Sequence, residues 1–218
     1  MKIIWCFLLI AGLMGCDGHI EIPDNSLAVG QILCTDGRIL PFDSVQATGR
    51  KPIAVVFYVN HDESVEGNGY AVYLKDLEPS SFADSLGVEQ GTSADMSALD
   101  GNRNTYAMQA CEEVSSPLAL QVADIWIYNQ SAYIPSVRQM QLMSREQCRI
   151  NPVLKACGGD TLSLQADACW YWTSTEVKEQ EKNRAWLYSV AGGFCHGTNK
   201  TVSHKGRAVV TIIQDNNE

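Results

Sequence analysis

The chain is poor in the groups that enzymes most often use. Among its 218 residues there are four histidines, and one of them, His19, lies in a polar stretch near the N-terminus. No Cys-x-x-Cys or His-x-x-x-His spacing occurs, so no zinc set is assembled from neighbouring residues. No Gly-x-Ser-x-Gly elbow is present to present a serine nucleophile. Positive charge is scarce too, with 16 Lys and Arg against 25 Asp and Glu and a net charge of −9. Phosphate backbones are held by Lys and Arg, so an acidic chain with no basic block is not expected to bind nucleic acid. There is no internal repeat and no long Pro-, Gly- or Ser-rich divider. The expectation is one domain that is not an enzyme and carries no metal or cofactor.

What is there begins at the N-terminus. "MKIIWCFLLIAGLMGC" has one cation, Lys2, then an apolar run from Ile3 to Leu13 that closes on small residues and Cys16. The run is too short to span a bilayer comfortably, and its layout is that of a secretory signal. Its end, "LMGC", resembles the lipobox of bacterial lipoprotein signals, in which cleavage leaves the cysteine N-terminal and acylated. Residues 1–15 are then a signal peptide, Cys16 the lipidation site, and 16–28 a polar tether carrying Asp17 and Pro23. Several acyl chains would hold the protein firmly, since each buried methylene contributes about 0.8 kcal/mol. The expected location is a membrane-anchored lipoprotein, outer-membrane and surface-exposed, with a periplasm-facing orientation as the other possibility.

Cys6 leaves with the signal, so six cysteines remain for the body: Cys34, Cys111, Cys148, Cys157, Cys169 and Cys195. In an exported protein an even set predicts at least one disulfide, and the spacing does not choose among the pairings.

The body alternates elements. "VGQILCTDGRIL" reads as two short strands about an Asp-Gly turn, and "PIAVVFYVN" and "GYAVYLKDL" as an antiparallel pair. Glu78 to Asn104 is low in pattern and predicts a long surface excursion of the functional kind. "NRNTYAMQACEEV" places Ala107, Ala110, Cys111 and Val114 on one helical face. "PSVRQMQLMSREQ" puts Ser136 at an N-cap with Gln139 at the capping-box position, and "INPVLKACGG" predicts a third short helix ending at a glycine pair. "CWYWTSTE", "RAWLYSVAG" and "GRAVVTIIQ" return to strands. The fold class is α+β with a mainly antiparallel sheet and two to three helices. On the strand "ACWYWTSTE", alternation predicts Trp170 and Trp172 in the core and Tyr171 half exposed.

The order "YIPSVRQMQLM", "INPVLKACGGDTL", "YWTSTE", "NRAWLYSVAGG", "GRAVVTI" resembles the Lcl/DUF1566 family of bacterial surface and exported proteins. That resemblance covers roughly Gly30 to Ile213 and implies a single domain over 29–215 with a C-type-lectin-like fold, in which N- and C-terminal strands pair beside two helices. It implies a display scaffold holding variable loops, as in adhesins and binding modules. The last strand departs from the family's "VRPVR": a second Arg is missing, and with it any role for one. The Glu-Pro-Asn, Gln-Pro-Asp and Trp-Asn-Asp triplets of calcium-dependent lectins are absent, and the acidic loop with Asp62, Glu63 and Glu66 lacks EF-hand spacing. Cys195 and His196 point to opposite faces of a strand and would not share a metal.

Binding is expected in the loops Glu78–Asn104, Val177–Arg184 and Phe194–Lys205, with Tyr188, Phe194, His196 and Asn199 as ligand-binding candidates. The partner expected is an extracellular glycan, peptide or protein, with the membrane reached through the lipid anchor. The alternative is a structural or assembly component of a surface appendage or envelope complex. In a variant of that alternative, the tether before Val29 completes another subunit's sheet edge.

Overall fold

The computed structural model describes residues 26–62, 67–127 and 130–213. The signal, Cys16, His19 and the tether up to Asn25 lie outside these residues, as do Glu63 and Glu66. No helix among the described residues is long and apolar enough to cross a membrane.

Two antiparallel sheets frame the body. The larger is built from β1 (Ile32–Cys34), β2 (Ile39–Leu40), β3 (Pro52–Val59), β4 (Gly69–Asp76) and β10 (Arg207–Ile212), in the order β10-β4-β3-β1-β2. The smaller is β7 (Trp170–Glu176), β8 (Arg184–Ser189) and β9 (Cys195–Asn199), in chain order. A short hairpin, β5 (Trp126–Ile127) and β6 (Gln130–Ser131), precedes the helices that pack between the sheets. The Asp-Gly turn forms as expected, with Gly37 at φ 79° between β1 and β2. The first and last strands share a sheet but do not pair, because β3 and β4 lie between them. The α+β class with antiparallel sheets therefore stands, and the direct pairing of terminal strands expected from the resemblance does not form.

There are five helices among the described residues: α1 (Phe42–Thr48), α2 (Gly101–Ala110), α3 (Pro117–Ala123), α4 (Val137–Arg145) and α5 (Gln147–Ala156). Two exceed the expected number. α1 is seven residues long and buries only Val45, so it shows no periodic stripe. α3 is signalled by Ser116 at the N-cap and Pro117 at the first position, within a run too short for period to speak. In α2 the buried positions are Gly101, Asn104, Thr105 and Met108, not the Ala107–Val114 face. Polarity misled that reading. Asn104 turns inward because its Oδ1 accepts from Ser93 N at 2.9 Å, and Thr105 Oγ1 accepts from Ile134 N at 2.9 Å.

The α4 start is as expected. Ser136 Oγ accepts from Gln139 N, and Gln139 Oε1 accepts from Ser136 N at 3.0 Å. Ser136 Oγ also donates to Ala98 O at 2.7 Å, tying the long excursion to the helix. Gly101 permits this approach, since a Cβ there would meet Gln139 Oε1 at 2.3 Å and Ile134 O at 2.7 Å. Ser136→Ala removes the cap and orphans the Ala98 carbonyl. It is expected to cost about 1–2 kcal/mol, read as a lower urea midpoint at unchanged slope.

Two main cores flank the β7–β9 sheet. Tyr171 and Tyr188 pack with Val55, Phe57, Val209 and the α4–α5 residues Met140 and Leu154. Trp172, Ala185 and Leu187 pack with Phe82, Met108, Leu118 and Ala208. Trp172 is fully buried as expected, whereas Trp170 is half-buried against both cores and Tyr171 is fully buried rather than half exposed. The sheet is covered on both faces, so alternation no longer marks a wet side. β10 feeds three clusters at once, through Val209, Ala208, and Val210 with Ile212.

The excursion after β4 is irregular but not a surface feature throughout. Phe82 is fully buried, with its ring edge-on to Trp172 at 5.7 Å, and Ser80 forms an antiparallel bridge to His204. Near it Arg207, 0 % exposed, donates to Tyr73 O (3.0 Å), Leu74 O (3.1 Å) and Asp160 O (2.6 Å) and pairs with Asp76. Lys205 Nζ reaches the same carboxylate at 3.0 Å.

The expected disulfide is absent: all six body cysteines carry free thiols. Cys34 and Cys157 pack in one small cluster with Val45, and burial raises both thiols above their usual range. Cys169 Sγ lies 3.2 Å from Ser189 Oγ, and Cys148 is exposed on α5. The buried Cys34 and Cys169 serve as small apolar fillers.

Candidate functional site

The turn from β7 to β8 is closed by Val177 N donating to Arg184 O at 3.0 Å, with Glu179 at φ 65°. On β8 the next positions on one face are Trp186 and Tyr188, opposite Gly197 and Cys195 of β9. Gly197 leaves the space that the Trp186 ring occupies: a Cβ there would lie 3.6 Å from Trp186 Cζ3 and 3.3 Å from Val177 Cγ2. The indole Nε1 of Trp186 is buried and makes no hydrogen bond among the described residues.

The end of the long excursion borders this surface. Asp95 accepts from Ser97 N (2.8 Å) and Ser97 Oγ (2.6 Å), and the hydroxyl bond chiefly holds its carboxyl below the usual range. That turn presents Met96, 38 % exposed. One hollow of about 600 Å³ runs between Met96, Val177, Lys178, Glu181 and Trp186. A second, also about 600 Å³, runs between Met96, Arg138, Gln141, Tyr188 and Phe194. Met96 is the ridge they share. Phe194 stands 69 % exposed at the rim, its ring folded over Gly192, where a Cβ would clash at 2.5 Å.

Parts of all three expected loops thus converge on one groove. The individual candidates fare differently. Tyr188 is 3 % exposed, a core residue whose edge reaches the second hollow, and Phe194 is the exposed partner beside it. His196 projects from the other face of β9, with its ring 6.3 Å from that of Trp170. Asn199 is occupied locally, its Oδ1 accepting from Thr201 N and Oγ1. Neither joins the groove. Met96 and Trp186 were missed by sequence reasoning. The signal for Trp186 is its cross-strand glycine, visible only once the β8–β9 register is known.

Chemically the groove offers apolar rings and a sulfur, with charges of both signs at its edges. Cys195 lies against it with its thiol pushed up by burial, which disfavours the thiolate. Burial lowers His204 below its usual range, keeping it neutral against Trp172. Among the described residues no three His, Cys, Asp or Glu side chains are grouped to hold a metal.

Neither a family model nor a curated protein matches the chain, so the Lcl/DUF1566 resemblance gains no support from that side. In structure the chain is similar to a fimbrial protein from Bacteroides ovatus ATCC 8483, with a TM-score of 0.69 at 14% identity. The likeness covers 85% of this chain and 49% of that protein, so the chain spans about half the length of its structural neighbour.

Proposed function

We propose that this protein is a component of a cell-surface appendage or envelope complex, lipid-anchored through Cys16, non-catalytic, and joined to its partner through the groove beside β8 and β9. The observation that carries this reading is the exposed Phe194 ring beside Met96 at the convergence of three loops. With Met96 the ring forms a joined apolar surface over one hollow, and interface hot spots are drawn from such aromatics. The fold shared with a fimbrial protein supports the setting. The Lcl/DUF1566-like, C-type-lectin-like scaffold remains our reading of the finer family.

Strand donation is a poorer route to assembly. β2 has two residues, β10 is bridged at Val209 by Tyr133, and the Gly197 carbonyl of β9 accepts from Arg184 at 3.2 Å. Short or covered edges resist strand addition. A second reading, a free-standing module for a glycan or peptide, is favoured by the charges of both signs, Lys178 and Glu181, that line the first hollow.

The delipidated protein, purified with its native envelope fraction and run on glycan and protein arrays, separates the two. Concentration-dependent complexes without array hits favour assembly; a monomer that retains a ligand favours the module. In either case Phe194→Ser is expected to weaken the contact by about 2 kcal/mol, roughly 30-fold in Kd. A folded variant that binds as the wild type does places the contact elsewhere. Protease shaving of intact cells should cleave the protein; cleavage only after lysis overturns the surface location.

A further inference from the structure

Away from the groove lies a buried polar cluster that binding does not use. Glu176, at the end of β7, and Lys200, just after β9, are both 0 % exposed and are paired with each other. The carboxylate is fully engaged: Oε1 accepts from Lys200 Nζ and from Gln90 N at 2.9 Å, and Oε2 accepts from Thr92 Oγ1 at 3.0 Å. Lys200 Nζ also donates to Val88 O at 3.1 Å and stands 5.4 Å from the centre of the buried Phe82 ring. The ammonium is thus held against the segment 88–90 of the long excursion, in an apolar surround closed to solvent.

The remaining member is Gln90. It is 2 % exposed, and neither its carboxamide oxygen nor its nitrogen has a hydrogen-bond partner among the described residues. A buried amide with both ends unmet is uncommon in a folded protein and calls for a chemical account. Its main-chain N–H binds the same carboxylate oxygen that Lys200 contacts, which roots the Gln90 side chain in the same cluster as the amine. An amine, an unengaged carboxamide and a carboxylate able to carry a proton are the components of an amide exchange. All are desolvated together.

We propose that Lys200 and Gln90 become joined by an isopeptide bond, with Glu176 as the proton carrier. Glu176 takes a proton from Nζ, which removes two buried charges at once. The neutral Nζ attacks Cδ of Gln90, and the new N–C bond forms. Glu176 returns the proton to the carboxamide nitrogen, that C–N bond breaks, ammonia leaves, and the second Nζ proton passes to Glu176, which ends as the neutral acid. Atoms and charge balance with no oxidant or further reactant. Enclosure favours the reaction by fixing the partners and excluding competing water. The product ties the excursion to the loop after β9 and replaces a buried ion pair and an orphaned amide by one neutral amide beside a protonated Glu176.

The test is the intact mass of the purified, denatured protein, followed by a peptide map. The wild type is expected to be lighter than its sequence by one ammonia, with a branched peptide joining the segments that contain Gln90 and Lys200. Glu176→Gln and Lys200→Met should have their full sequence masses. A wild type at full sequence mass overturns the proposal. Loss of ammonia mapped elsewhere, as by cyclisation at Asn68-Gly69, overturns it as well, and so does loss of one water mapped to Glu176 and Lys200.

Discussion

Replacing Arg207 by methionine should lower the stability of the domain by about 3–5 kcal/mol, the cost of removing one partner from a buried, hydrogen-bonded pair. The guanidinium is 0 % exposed and serves three main-chain carbonyls, those of Tyr73, Leu74 and Asp160, as well as the Asp76 carboxylate. Methionine fills much of the volume but donates nothing. Three carbonyls lose a donor, of which Leu74 O keeps the Asp160 N–H at 2.7 Å, and the Asp76 charge keeps Lys205 and the Tyr171 hydroxyl. Domains of this size are stable by about 5–15 kcal/mol, so a large part of the margin disappears. Equilibrium urea unfolding reads the loss directly. A variant within about 1 kcal/mol of the wild type would show that the cluster is tolerated rather than stabilising.

The same variant carries a pH signature. Asp160 is held below the usual carboxylate range, first by the Asp76 N–H and also by Lys75 and Arg207. A carboxyl with a lowered folded pKa contributes stability that is present at neutral pH and lost as pH falls through the acid range. Without Arg207 that acid loss should begin from a higher folded pKa, visible as an upward shift of the Asp160 carboxyl in an NMR titration.

Trp172→Ala is expected to cost about 3–5 kcal/mol, the range for deleting a buried aromatic and leaving a cavity. Trp172 lies in the core between the β7–β9 sheet and α2–α3, edge-on to Phe82 and at a right angle to His204, 5.6 Å away. Its Nε1 donates to Ser80 O at 3.0 Å, so the ring both fills the core and pins the start of the long excursion. The variant should therefore lose stability and, before global unfolding, show faster amide exchange around Ser80 and Phe82 than elsewhere. Uniform exchange would mean the excursion is held by its other anchors, Thr92 and Asn104 among them.

What could be read from the sequence divides along physical lines. Long β-branched runs such as that of β3 declare themselves, and so do capping residues such as Ser136 with Gln139, because their signals are local. The inward turn of Asn104 and Thr105 was hidden, since their partners lie on other segments and polar residues read as outward. Tyr171 was misjudged for a related reason: only the tertiary arrangement covers the second face of its strand. At the site the three loops were legible from composition, but their convergence on Met96 and Trp186 was not. His196 and Asn199 share those loops without sharing the groove, because one points through the sheet and the other closes its own turn.

The way β10 supplies three clusters also governs when the protein can fold. A nascent chain made up to Gly206 has both sheets' other strands in hand, yet three clusters still lack a wall. The pairing of β10 with β4 closes a loop across most of the chain, and such distant contacts form late. The three clusters therefore gain their last wall together, when β10 joins the sheet.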